Sequence, residues 1–218
     1  MTKSITTYFV TLLALITLLA FAPAQAITAQ TNPYQMIQQV ADTTFKRINQ
    51  DQSIIKQDPN HLKAIVIQEL MPYIDSRYAA KVVLYKIKAS KADKEAFYQA
   101  FEQYLITIYA TVFAKYTDQE VVFDPAQSIE GKRVVTVKSR LVEPGNPDIN
   151  IDFKVRKDKK TGQWKAYDLR ALGVSLLDSK KAELKALLRK QDGVSNVAKR
   201  LLEKANANII PSATSQKL

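Results

Sequence analysis

Hydrophobic positions recur along this chain in two rhythms, and the change of rhythm near residue 118 divides it. Before that point apolar residues return at steps of three and four. Ile37, Val40, Ala41, Thr44 and Ile48 share one face of a segment that Asn32 caps and Pro33 opens. Asp58-Pro59 repeats that start signal. Leu62, Ile65, Val66 and Leu70 then make a second stripe, which Pro72 interrupts before a third helical segment from Ile74 to Ile87. Ser90 and Asp93 stand at capping-box spacing, with Asp in place of the usual Glu or Gln. They open a long helix carrying Phe97, Phe101, Tyr104, Leu105, Ile108 and Val112 to about Lys115.

After Asp118 the period falls to two. Val135, Val137 and Leu141 alternate with Thr136, Lys138 and Arg140, and Ile149, Ile151, Phe153 and Val155 alternate with polar neighbours, so each strand has one buried and one wet face. Lys160-Thr161-Gly162 reads as a hairpin turn. Short turns with no helical crossover make the sheet antiparallel, with four strands once Glu120 to Phe123 and Gln163 to Leu172 are counted. Two further helices, Ser179 to Arg189 and Val194 to Ala205, are separated by Asp192-Gly193. The fold class is therefore α+β, helices packed on a four-stranded antiparallel sheet.

The N-terminus follows neither rhythm. Lys3 precedes an almost wholly apolar run from Tyr8 to Ala22, and Ala24-Gln25-Ala26 offers a small-x-small cleavage site, so residues 1–26 read as an export signal and the mature chain is expected to begin near Ile27. The run is shorter than the roughly 20 residues a spanning helix needs. This leaves one domain at residues 27–210 and a polar tail at residues 211–218 that reads as disordered.

Composition narrows the chemistry. The chain contains no Cys, which rules out disulfide staples, thiolate catalysis, Cys-ligated metal and a lipoprotein anchor. The signal carries one Lys and no acid, so its removal lowers the net charge from +11 to +10, a surplus that suits phospholipid head groups or an acidic protein face. Lys138, Arg140, Lys154 and Arg156 alternate with the apolar set and are expected to point outward. The only His, His61, lies in the first turn of a helix and reads as a surface or capping residue. No nucleophile elbow surrounds any Ser, and five Gly give no phosphate loop. The sequence singles out no catalytic residue, metal ligand or cofactor.

What stands out is the number of aromatic residues with a polar tip. Tyr73, Tyr78, Tyr85, Tyr98, Tyr104, Tyr109, Tyr116 and Tyr167 each suit core or rim packing. As a set, beside Val82, Val83, Ile108, Val137 and Phe153, they fit the wall of a ligand cavity between helices and sheet. Val174, between Gly173 and Ser175 at the end of the last strand, is expected to project into it. Lys interleaved with aromatics also suits single-stranded nucleic acid, but an export signal argues against that partner.

The residues also carry a family resemblance. Thr31-Asn32-Pro33, Glu69-Leu70-Met71-Pro72-Tyr73, Tyr78-Ala79 with Val83-Leu84, Ala96-Phe97 to Tyr104-Leu105, Tyr109-Ala110, Asp152-Phe153, Arg156-Lys157, Trp164-Lys165-Ala166-Tyr167-Asp168 and Gly173-Val174-Ser175 appear in this order. In order and spacing they resemble the MlaC family of periplasmic phospholipid-binding proteins, also called the toluene-tolerance auxiliary proteins. Tyr85 departs from the family, which commonly has Gly after Val-Leu. The resemblance implies a nuclear-transport-factor-like architecture with an elongated lipid cavity. It implies phospholipid as cargo, with no cofactor and no covalent step. The expected lining is Tyr78, Val82, Val83, Tyr104, Ile108, Val137, Phe153, Tyr167 and Val174. It implies partners as well: an outer-membrane lipoprotein complex and an inner-membrane ABC transporter with its substrate-binding subunit, served from the periplasm of a Gram-negative bacterium to maintain outer-membrane lipid asymmetry. Two other readings stay open from the residues alone, a small exported lipid-modifying hydrolase and a protein adaptor with a filled core.

Overall fold

The computed structural model describes residues 32–116, 119–188 and 193–211. The export signal, the mature start and the tail beyond Pro211 lie outside those residues. Helix α1 (Pro33–Gln50) begins where expected, Asn32 accepting the amide hydrogens of Tyr34 at 2.9 Å and Gln35 at 3.4 Å with Pro33 at the first helical position. A short α2 (Gln52–Gln57), without a buried residue, follows unannounced by any apolar stripe. Helix α3 (His61–Ile65) starts two residues after Pro59 and widens into a π turn (Val66–Leu70), then a 3₁₀ turn (Met71–Tyr73). Pro72 accounts for this ending, because it has no amide hydrogen and its ring crowds the carbonyl one turn back, so the ladder loosens ahead of it. The chain then runs extended beside the sheet, Ile74 bridging Ala166 and the Asp75 amide donating to the Ala166 carbonyl at 2.7 Å.

Helix α4 (Ser76–Val83) is shorter than the expected segment and is capped by Asp75, which accepts from the Tyr78 amide at 2.9 Å. The long α5 (Lys91–Phe113) is capped by Ser90, whose Oγ accepts from the Asp93 amide at 3.0 Å and donates to its carboxylate at 2.7 Å. The sheet is a meander of five antiparallel strands in sequence order: β1 (Glu120–Phe123), β2 (Val134–Val142), β3 (Ile149–Lys157), β4 (Trp164–Ala171) and β5 (Val174–Ser175). The expectation of four strands is corrected by β5. Leu172 and Gly173 both have positive φ, 51° and 78°, the pattern of a two-residue type I′ turn that folds β5 back on β4. Two paired residues are too few to show an alternation in sequence. Helices α6 (Leu176–Leu187) and α7 (Gly193–Ala205) complete the fold, α6 beginning three residues earlier than the periodicity indicated.

Packing is organised in three clusters. Met36, Ile37 and Val40 of α1 lie on the sheet against Val137, Val155 and Trp164. Helices α4, α5, α6 and α7 share a second core around Val83, Phe97, Phe101, Leu184 and Leu201. A third, around Ile48, Ile65 and Ile106, is closed by Ile209 from beyond α7. A clasp holds that closure: Lys63 Nζ donates to the carbonyls of Ala205 at 2.9 Å and Ala207 at 2.7 Å, Thr107 Oγ1 to Ala205 at 2.6 Å, and the Ile209 amide to Asn60 Oδ1 at 3.1 Å. The Lys63 and Thr107 donors satisfy carbonyls that the end of α7 otherwise leaves open.

Candidate functional site

Strand β4 departs from regular pairing at one residue. Lys154 pairs with Asp168 and Val155 with Ala166, so Tyr167 is the extra residue of a β-bulge. A bulge re-aims side chains. On its N-terminal side Trp164 and Ala166 belong to the cluster under α1, whereas Tyr167 packs against the helical core. The ring of Tyr78 meets Tyr167 edge to face at 5.2 Å between centroids, and the Arg156 guanidinium lies 4.2 Å over Tyr78. Arg156 also forms an ion pair with Asp75 and stands 3.9 Å from Asp158. The outward orientation expected of Arg156 is therefore corrected: a capping carboxylate and an aromatic face draw it inward. Lys138 and Arg140 are exposed, Arg140 pairing with Asp148 at 2.8 Å, and Lys154 is half-buried.

Between β4, α5 and α6 lies a recess walled by Phe101, Leu105, Tyr109, Tyr167 and Leu177, with Asp168 and Lys180 as its charged groups. Its free space is about 20 Å³, little more than the 10–15 Å³ one water requires and far below the few hundred Å³ of an open ligand pocket. The recess is narrow rather than roomy. A second, larger depression of about 280 Å³ lies between α6 and α7 over Leu184, Leu187, Val197 and Leu201, with Glu183, Arg200 and Lys204 among its lining.

Asp168 is buried and fully engaged. Ser175 Oγ lies 3.0 and 2.9 Å from its two oxygens, and the Leu177 amide donates to Oδ1 at 3.0 Å. Ser175 in turn caps α6 by accepting from the Asp178 amide at 2.9 Å. These bonds give a physical role to both the Trp164 to Asp168 and the Gly173 to Ser175 motifs: they fasten the recess wall of β4 to the start of α6. Burial, and secondarily the Asp168 charge, push the Tyr109 phenol up to about 12. Burial, then the neighbouring Tyr78 and Asp168, also raise Tyr167. Both phenols stay neutral at ordinary pH, as an apolar-lined space requires.

Of the residues expected to line the cavity, Tyr167 borders this recess, and the Tyr78 ring packs edge-on against it. Val83 and Tyr104 are buried in the helical core, with Val82 and Ile108 partly buried against it. Val137 and Phe153 belong instead to the cluster under α1. Val174 is 63% exposed, so the inward projection expected of it is corrected: the turn at Leu172-Gly173 reverses the chain and makes Ser175 the buried member of β5. Phe101, Leu105, Asp168 and Lys180 were absent from the expected lining. The first two showed only as a helical stripe, and the acid stands in a strand that also carries Lys165 and Arg170, so its charge did not set it apart. His61 Nε2 lies 2.7 Å from Asp51 Oδ2, which Arg47 Nε also contacts at 2.6 Å. His61 and Arg47 hold the Asp51 carboxyl below its ordinary range. Among the described residues no group of His, Asp and Glu is placed to hold a metal ion, and no helix is long and apolar enough to cross a membrane.

Helices packed on a five-stranded antiparallel meander, with a narrow, largely apolar recess against its fourth strand, define the class as α+β. Comparison with known proteins assigns the family. The MlaC protein family model matches residues 38–203, and the chain belongs to that family. It is 32% identical over 196 residues to the intermembrane phospholipid transport system binding protein MlaC of Haemophilus influenzae, covering 88% of this chain and 91% of that protein. It is 24% identical over 165 residues to toluene tolerance protein ttg2D of Pseudomonas putida, covering 74% and 75%. The fold matches a phospholipid-binding protein from Ralstonia solanacearum, solved in complex with a phospholipid, with a TM-score of 0.70 at 20% identity over 80% of this chain and 97% of that one.

Proposed function

We propose that this chain is a periplasmic phospholipid carrier that shelters acyl tails in the recess between β4, α5 and α6 while the head group stays at its mouth. The observation that carries the reading is an apolar recess, walled by residues of the family's own motifs, in a member of the MlaC family. The physics of the cargo demands such a sleeve. Each buried CH₂ is worth about 0.8 kcal/mol, so leaving two tails of roughly 30 methylenes in water costs on the order of 20 kcal/mol. A recess with about 20 Å³ of free space takes in such tails only once its walls part. Opening this site parts α6 from α5 and β4, and the arrangement is read as the nuclear-transport-factor-like cavity the resemblance implies. The charged head group remains solvated, so no charge is buried unpaired. The carrier works between an outer-membrane lipoprotein complex and the substrate-binding subunit of an inner-membrane transporter, and it needs no covalent step.

The test is mass spectrometry of the organic extract of natively purified mature protein. Phospholipid near one per chain is expected. Protein that carries none and takes none up from vesicles defeats the reading, and release of fatty acid or free head group shows a hydrolase instead.

A further inference from the structure

The wall of the recess meets water at a cluster of charges. Lys180, which lines the recess, has a side chain 24% exposed, and Lys204 of α7 is 51% exposed. One carboxylate holds both: Lys180 Nζ is 2.8 Å from Glu183 Oε2 and Lys204 Nζ 3.0 Å from Glu183 Oε1. The same two ammonium groups stand 5.7 and 5.9 Å from the ring centroid of buried Tyr104. Partial burial works against the charge on Lys180, but its bonds to Glu183 and Tyr104 outweigh this and raise its pKa, so it stays cationic while facing an apolar space. Glu183 and Lys204 also edge the depression between α6 and α7, which places the cluster on the seam between the two spaces.

We propose that Lys180 and Lys204 form the phosphodiester site of the carried lipid, with Glu183 as the internal counter-ion that holds both ammonium groups in position before cargo arrives. Two cations on one carboxylate leave a surplus of one positive charge, and a phosphodiester brings one negative charge, so the loaded cluster is neutral. Compact ammonium groups with rotatable donors suit a phosphate whose substituents vary, whereas a guanidinium fork favours one planar geometry. Arg156, behind Tyr78 and Tyr167, has its charge already matched by Asp75 with Asp158 beside it. The inference rests on the carrier reading and adds to it a selection: diacyl lipids bearing phosphate are held over those of equal chain length that lack it.

The experiment offers purified, delipidated protein equimolar vesicle-borne phosphatidylglycerol and 1,2-diacylglycerol with identical chains, and measures the bound ratio by mass spectrometry. Wild type is expected to favour phosphatidylglycerol by about tenfold, the scale of one charge-assisted bond to phosphate. K180Q/K204Q is expected to bring that ratio near unity, K180R/K204R to retain most of it, and E183Q to raise it. Opposite responses of K180Q/K204Q and E183Q are the signature, since a merely structural ion cluster moves both the same way. Wild-type selectivity in K180Q/K204Q overturns the site, as does a wild type that binds the two lipids equally. A wild type that binds neither overturns the carrier reading and the site together, and circular dichroism on each variant confirms that a lost ratio is not a lost fold.

Discussion

The core beneath α1 and the core enclosed by α4 to α7 draw on the same kinds of residue, yet they close differently. Under α1, Val137, Val155 and Trp164 are almost wholly shielded from solvent. Among α4 to α7 the packing is as tight around Phe97 and Val83, but the wall shared with β4 carries two phenols, a carboxylate and an ammonium group around a small void. The first is a floor and the second a purse. A floor loses stability when its atoms are removed, while a purse that carries lipid as proposed loses cargo when atoms are added, and substitutions on the two sides of β4 separate these roles.

The largest expected effect is on the floor. Trp164→Ala removes a side chain that is 3% exposed and is expected to cost about 3–5 kcal/mol, seen as a lowered urea midpoint. Leu105→Trp fills the purse. Overpacking costs about 1–3 kcal/mol, but phospholipid per chain in the organic extract should fall several-fold, and full occupancy would show that the tails lie elsewhere. Tyr109 supplies a titration. Burial raises its folded pKa from the ordinary 10.0 to about 12, so the stability it contributes is fully present below pH 10 and is lost as pH rises through about 12, an effect of about 3 kcal/mol. Tyr109→Phe should therefore flatten the alkaline limb of stability against pH relative to wild type; parallel curves would mean the phenol is not desolvated. The smallest effect is expected at Val174→Glu, an exposed site, where stability should stay within about 0.5 kcal/mol and lipid content should match wild type. Lost lipid would return this residue to the cavity.

Local signals carried much of the fold. Asn32 and Ser90 were readable as caps because a cap bonds within three residues of itself, and β2 was readable because it alternates exposed and buried from Val134 to Arg140, whereas β3 departs from the expected alternation and buries only Val155. The site was less legible because its geometry depends on distant partners. Arg156 turns inward toward Asp75, 81 residues away in sequence. Tyr167 takes its direction from a bulge defined only by pairing with β3, and Val174 faces out because of a two-residue turn. Asp168 and Lys180 follow no periodicity, and their placement emerges only when β4 and α6 come together.

The packing of α5 against α7 bears on the order in which the molecule is assembled. A chain made from its N-terminus forward has all five strands, each paired with its neighbour in sequence, before the first residue of α7 exists. The face of α5 stays open until Val197 and Leu201 arrive, and the clasp from Lys63 and Thr107 cannot close before Ala205 is in place. A chain stopped before Gly193 holds every residue that lines the recess but lacks both the helix that covers its neighbouring core and Lys204 at its edge. The interior is therefore sealed last, from the C-terminal end.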